Sequence, residues 1–368
     1  MKSFLHIFLR EGSPTLLLMY PKRRIFLQLS PPLRRRFGKN RLMFDVVVTS
    51  SRRLDRPDYD VVCIGAATED IFFLSDRYRV EDQNLCFPWR EKFTVEKLER
   101  HLGGGAFNAS VAYCRLGLEV AFWGQVGNDP SGRMVKEALE REGISTTLLV
   151  VNPKTKTSTS ALLSSGGERT IVMYRGANDD LLNTNPRWDK ILDCRWIFFA
   201  DLVGTSNDLL FEVVGKIKEG GIKLSYVPGQ NELLLGKEKL APVLAAAKIL
   251  ILNFHEAQSI LGGGYSIKEM LVEFKKLGVG IPVITQDVEG SFAYDGKDFY
   301  HQEATPEVEV VDRTGAGDAF AATLTAGIIL GKGIPESLLL AAKNASSEIT
   351  KIGGTDGLLN LSQLESYQ

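Results

Sequence analysis

From Tyr59 onward, short apolar runs that read as strands alternate with longer helical stretches, and no other feature narrows the fold so far. The strand-like runs cover residues 61–64, 121–126, 196–200, 249–253 and 282–285, and helical periodicity covers 107–116, 132–141, 209–219 and 334–349. In the second of these helices the pattern turns Met134, Ala138 and Leu139 inward. Consecutive strands separated by helices predict βαβ units and a mainly parallel sheet with helices on both faces. A chain of 368 residues that is 44% hydrophobic can bury one large α/β core. No Pro/Gly linker divides it, and no internal repeat is visible. Two stretches break the rhythm. Residues 71–93 are rich in aromatics and charges, and residues 157–174 alternate as a hairpin would around Ser165-Gly166-Gly167-Glu168.

Chemistry concentrates in Val310-Val311-Asp312-Arg313-Thr314-Gly315-Ala316-Gly317-Asp318-Ala319-Phe320. The valines favour an extended approach, and Gly315 and Gly317 remove side chains that would keep an anion from backbone amides. A helix then begins, whose unpaired N–H groups and positive dipole end favour negative charge. Asp318, in the first turn, is placed to take a proton from an attacking hydroxyl. A glycine turn followed by a capping aspartate is the plainer reading of the same residues.

A second cluster lies upstream: Gly103-Gly104-Gly105-Ala106-Phe107-Asn108-Ala109-Ser110, then Arg115-Leu116-Gly117, then Gly124-Gln125-Val126-Gly127-Asn128-Asp129-Pro130-Ser131-Gly132. Together the two clusters resemble the paired signatures of the PfkB, or ribokinase-like, kinases, over residues 59–359. The resemblance implies a three-layer αβα sandwich with a mainly parallel central sheet and a small β-lid, residues 58–368 forming the kinase domain with lid segments at about 71–101 and 155–178. It implies ATP-dependent phosphorylation of a primary hydroxyl of a small sugar, with Asp318 as base and the amides of Gly315, Ala316 and Gly317 as anion hole.

The resemblance also places the ligands. Asp70, at the end of a small-residue strand, would accept hydrogen bonds from sugar hydroxyls, with Gly104, Gly105 and Asn108 beside it. Arg175 offers either a cation over the substrate or a solvated strand end. Asn253 and Glu256 resemble the family's magnesium motif, reached through water. Thr285, Gly290, Thr314 and Asn344 border ATP, with Lys351-Ile352-Gly353-Gly354 on the adenine side. Asp312 corresponds to a residue that holds a monovalent cation such as potassium in some relatives. Asp287 departs from the pattern, an acid where glycine is usual. His255 lacks a partner at ligand spacing and reads as packing.

The net charge of −1 argues against a nucleic-acid partner, and no run of eighteen uncharged apolar residues offers a membrane span. Cys63, Cys86, Cys114 and Cys194 form no metal-ligand pattern and read as reduced, which suits a cytoplasmic protein. Residues 1–57 form a basic leader, with Arg34-Arg35-Arg36 and nine other basic residues through Arg53 against Glu11 and Asp45. It reads as a disordered arm or non-native upstream sequence, organellar import being the alternative. The substrate stays open between a sugar and a nucleoside, the latter prompted by the lid aromatics Phe72, Phe73, Phe87 and Trp89. A catalytically silent binding protein is the reading from another class. Relatives further imply a homodimer through the lid.

Overall fold

The computed structural model describes residues 57–367 apart from 83, 166–167, 201, 203–206 and 306–307, together with three strands nearer the N-terminus. Two compact units divide the chain at Asp58. In the first, His6–Leu9, Thr15–Tyr20 and Arg23–Gln28 pair in antiparallel order. The rest of that leader, on which the expectation of disorder falls, lies outside the described residues.

Among the described residues the second unit has two main sheets, of eight and four strands, besides two short pairings, Arg79–Glu81 with Asn84–Cys86 and Gln125–Gly127 with Val150–Asn152. In chain order the strands of the two main sheets are β1 (Tyr59–Ile64), β2 (Thr68–Leu74), β3 (Lys97–Gly103), β4 (Val120–Trp123), β5 (Ser158–Ser165), β6 (Glu168–Tyr174), β7 (Cys194–Phe199), β8 (Lys223–Tyr226), β9 (Ala247–Asn253), β10 (Ile281–Gln286), β11 (Gly290–Tyr294) and β12 (Phe299–Gln302). The central sheet runs β12-β11-β10-β9-β8-β7-β1-β4, parallel from β4 to β10 and antiparallel at the β11–β12 edge. Both of its faces are covered. Val61 and Cys63 of β1, with Phe122, Trp196, Phe198 and Val283, pack on one side against the helices α1 (Gly105–Arg115), α2 (Pro130–Glu142), α4 (Ala316–Ile329) and α5 (Ile334–Glu348). Val62, Ile64, Trp123, Ile197, Phe199 and Ile284 alternate to the other side, where α3 (Phe254–Leu261) and further helices lie. This alternation of fully buried residues makes the three-layer sandwich, and it is why the strands read as continuous apolar runs.

Within α2 the buried positions are Gly132, Val135 and Leu139, Ala138 is partly buried, and Met134 is 38% exposed. Val135 thus takes the inward position that the sequence pattern gives to Met134. Asp129 caps this helix by accepting from Gly132 N at 2.9 Å, which fixes the helical phase.

β6-β5-β2-β3 form a separate four-stranded lid sheet, with β5 parallel to β2 and the outer pairs antiparallel. Register aligns His101, Asp70, Ser160 and Met173 across it, so their side chains share one face. The lid is rooted firmly. Asp129 also accepts from Thr157 N at 2.9 Å and from Thr157 Oγ1 at 2.6 Å, and Asn178 exchanges two hydrogen bonds with the backbone of Ala67. The second glycine signature therefore holds the base of the lid, with Gly127 N donating to Thr157 Oγ1 at 3.0 Å.

Candidate active site

In the central sheet β4 lies on one side of β1 and β7 on the other, so the strand order reverses between β1 and β7. In open α/β sheets that reversal opens a crevice at the carboxyl ends of the strands. The crevice is occupied by the motif residues. A side chain at Gly105, the first residue of α1, would meet Ala200 Cβ at 3.1 Å and Asp318 Oδ1 at 3.4 Å, so Asp318 stands at the carboxyl end of β7. Asn108, one turn into α1, donates from Nδ2 to Asp318 Oδ2 at 2.8 Å. The two signatures, far apart in sequence, are thus joined by one hydrogen bond.

Asp318 lies in the first turn of α4, whose N-cap Gly315 takes the left-handed conformation, φ 79°. A Cβ on Gly315 would collide with Gly354 Cα at 2.6 Å, whereas one on Gly317 would meet nothing within 4 Å. Gly315 is therefore required by the turn, and the space beside Gly317 is open for a ligand. Asp312 braces the turn from below: its Oδ1 accepts from Thr314 N (3.1 Å) and Thr314 Oγ1 (2.8 Å), and its Oδ2 from Gly353 N (3.1 Å). Both carboxylate oxygens of Asp312 thus help to brace the turn. Arg169 Nη1, from β6, lies 3.9 Å from the same Oδ1. This lid arginine escaped the sequence reading, which singled out Arg175 instead. Arg175 is exposed, while Arg169 is three-quarters buried and its Nε lacks a hydrogen-bond partner. Alternation alone does not separate them, because residues 169, 171, 173 and 175 share one parity; the difference is that β6 ends at Tyr174 and leaves Arg175 outside the paired strand.

Asp70 is 6% exposed and lies on the lid's inner face. Burial pushes its carboxyl up to about 6; a Ser160 hydrogen bond opposes this, Asp312 adds to it, and His101 and Arg169 oppose it again. A Cβ on Gly103 would fall 2.2 Å from Asp70 Oδ2, and one on Gly104 (φ 102°) 2.5 Å from Ala66 O. These glycines let the lid strand pass against the strand bearing Asp70. Behind the turn, Glu348 at the end of α5 is fully buried with no well-formed hydrogen bond to either oxygen. Burial pushes its carboxyl up to about 8, with Asp356 and Asp318 adding to the effect.

The residues placed toward ATP and metal divide. Asn253 and Glu256 form a reciprocal capping box at the start of α3, Glu256 N to Asn253 Oδ1 at 2.9 Å and Asn253 N to Glu256 Oε2 at 2.8 Å. One amide and one carboxylate oxygen at a strand end suit an ion that keeps most of its waters, the donor set expected for magnesium. Asn253 pairs in register with Thr285 of β10, so both sit at the same sheet edge. Gly290 is needed for strand pairing, since a Cβ there would lie 2.1 Å from Gln302 O. Asp287 keeps a positive φ of 35°, so the acid has taken over a glycine-like backbone. Asn344, expected beside ATP, is fully buried and bonds Thr323 Oγ1 (2.7 Å) and Leu359 N (2.9 Å). It ties α5 to α4 and to the following loop. Gly353 and Gly354, expected on the adenine side, pack between the lid and the Gly315 turn: a Cβ on Gly353 would meet His101 Nδ1 at 2.8 Å, and one on Gly354 would meet Asn108 Nδ2 at 2.5 Å. Among the described residues no helix is long and apolar enough to cross a membrane.

A parallel sheet with a switch-point crevice, a helix N-terminus carrying a carboxylate and a β-lid above them define a small-molecule phosphotransferase fold. Residues 59–360 match the pfkB family carbohydrate kinases, and the chain belongs to that family. A fructokinase of Vibrio alginolyticus is 27% identical over 61% of this chain and 75% of its own. A nucleoside kinase of Methanothermobacter thermautotrophicus is 27% identical over 72% of this chain and 81% of its own. The structure of Arabidopsis thaliana ribokinase complexed with ribose and ATP superposes with a TM-score of 0.72 at 21% identity, covering 85% of this chain and 98% of the other. The protein is a sugar kinase by family, a phosphotransferase acting on an alcohol.

Proposed function

We propose that the chain transfers the γ-phosphoryl group of ATP to a primary hydroxyl of a small sugar of the ribose or fructose type. The observation that carries this reading is the Asn108–Asp318 hydrogen bond at 2.8 Å, which brings the carboxylate at the start of α4 against α1 at the crevice. The substrate oxygen attacks the γ-phosphorus, its proton passes to the Asp318 carboxylate, and the bond to the leaving ADP oxygen breaks. The amides of Gly315, Ala316 and Gly317 at the start of α4 face the charge on the transferring group. Asp70, buried on the lid's inner face, accepts hydrogen bonds from the sugar and discriminates against acceptors without those hydroxyls. Magnesium held near Asn253 and Glu256 would neutralise phosphate charge when bound. Asn108 orients the base, and the lid excludes water that would otherwise hydrolyse ATP.

A nucleoside is the rival acceptor. Phe72 is buried, with its ring edge-on to His101 at 5.5 Å, and Phe87 packs with Tyr78 and Phe93 in a cluster of its own. Phe87 and Trp89 nevertheless stay exposed, so the lid aromatics alone do not choose between the two acceptors. ADP release across a panel of sugars and nucleosides tests the choice: turnover confined to nucleosides would replace the sugar reading. No ADP release with any acceptor, with ATP still bound, would instead indicate a silent binding protein. A lid-to-lid homodimer rests on the half-exposed apolar residues of the lid's outer face, such as Leu98, Val172 and Tyr174. Light scattering decides it.

A further inference from the structure

His101 lies on lid strand β3, and both of its ring nitrogens end on carboxylates. Nε2 is 3.1 Å from Glu99 Oε2 on the same strand, and Nδ1 is 3.0 Å from Asp356 Oδ2 in the loop that follows α5. A neutral imidazole has one N–H and can satisfy only one of these acceptors, whereas an imidazolium satisfies both. The geometry therefore selects the charged form. The ring is also the surface on which the loop rests, because Gly353 (φ 104°) has no room for a Cβ beside Nδ1. From that contact the packing runs straight to the catalytic turn. Gly353 N holds Asp312 Oδ2, and Gly354 touches both Gly315 and Asn108, the residue that bonds Asp318.

We infer that His101 is a positioning residue for phosphoryl transfer: as an imidazolium it clamps the closed lid to the Gly353–Asp356 loop and thereby holds the anion-hole turn in register. This rests on reading the Asp318 turn as the place of transfer. The charged groups around the ring agree with the clamp. Glu99 faces it from its own strand and is itself paired with Lys97. Asp356 faces it from the loop, and Asp70 from the neighbouring strand β2. The bond to Asp356 holds the imidazole above the usual histidine range, burial opposes it, and the bond to Glu99 adds to it. Arg115 supports the far side of the loop by donating to the carbonyls of Thr355 (2.8 Å) and Leu358 (3.0 Å). Losing the clamp therefore loosens the loop without unfolding it.

The sign of the pH dependence follows. The imidazolium is present below its raised pKa and is lost as pH rises through it, so turnover acquires a falling limb on the alkaline side of the ordinary histidine value. The test measures ADP release against pH for the wild type, His101→Gln and Asp356→Asn, alongside an NMR titration of the imidazole. In the wild type the imidazolium should persist above the usual range. In Asp356→Asn both the NMR pKa and the falling limb should move to lower pH. In His101→Gln kcat should fall about tenfold below the limb while the KM for ATP stays within about twofold, and the limb should vanish. An imidazole that titrates at its ordinary value, or a limb unmoved in Asp356→Asn, overturns the clamp and leaves the kinase reading standing. Wild-type protein that releases no ADP refutes that reading separately, and the titration, which needs no turnover, still decides the charged bridge. Should His101→Gln not fold, Asp356→Asn alters only a half-exposed partner and carries both measurements.

Discussion

Arg169 Nη1 of the lid hairpin lies 3.9 Å from Asp312 Oδ1, so a guanidinium on the lid reaches the carboxylate that braces the Gly315 turn, the anion hole in the proposed mechanism. It also offsets the burial of Asp70. One cation thus serves two acids on opposite walls of the crevice. Replacing Arg169 by Gln should lower kcat/KM for the acceptor by about 10- to 100-fold, the scale of one lost charge-assisted contact. Steady-state ADP release with circular dichroism as a fold control checks it, and unchanged kinetics would remove Arg169 from the site.

Asp318→Asn should cut turnover by at least about 100-fold while ATP affinity and melting temperature stay near wild type, because the amide cannot accept the proton. Calorimetric titration of ATP beside the rate assay separates the two. Turnover at the wild-type level would exclude Asp318 as the base.

Gly103→Ala should act on the acceptor alone. Its Cβ would fall 2.2 Å from Asp70 Oδ2 and must push that carboxylate aside. The KM for the sugar should rise by about tenfold or more, with ATP binding unaffected. An equal loss for both substrates would argue for a folding defect.

The acid side of the pH profile belongs to Asp70. With its carboxyl pushed up to about 6, the ionised form that accepts sugar hydroxyls is lost as pH falls through that value. The kcat/KM for the acceptor should therefore drop below about pH 6, and Asp70→Asn should be slow and flat through the same range. A wild-type profile level down to pH 5 would contradict this assignment.

Glu348 makes a prediction about stability. Its carboxyl is pushed up to about 8 in the folded chain, so folding favours the protonated form, and stability is lost as pH rises from the unfolded value through the folded one. Glu348→Gln keeps the shape without the charge. It should leave the melting temperature nearly unchanged at pH 5 and stabilise by on the order of 2 kcal/mol at pH 8. Thermal denaturation across that range would read it, and a stability difference constant with pH would show Glu348 to be solvated.

Much of the architecture was legible because its causes are local. Residues 61–64 and 249–253 are apolar on both faces since both faces are covered, and the glycines of the two signatures mark places where backbones touch. What was not legible depends on pairing across long separations. The parallel contact of β5 with β2 leaves no local pattern, and the β11–β12 edge is too short to announce itself. Arg169 and Arg175 share one parity and look alike in the sequence, and only the end of β6 at Tyr174 tells them apart. Asn344 carries the right chemistry for a ligand, yet helix packing seals it from solvent. His101 gave no signal, because its two acidic partners come from different elements and meet only after folding.

Asp129 belongs at once to a helix of the large layer and to the root of the lid, accepting from Gly132 in one and from Thr157 in the other. One carboxylate thus ties two layers together, so a substitution at Asp129 would reach the start of α2 and the residue leading into the lid strand β5 at the same time.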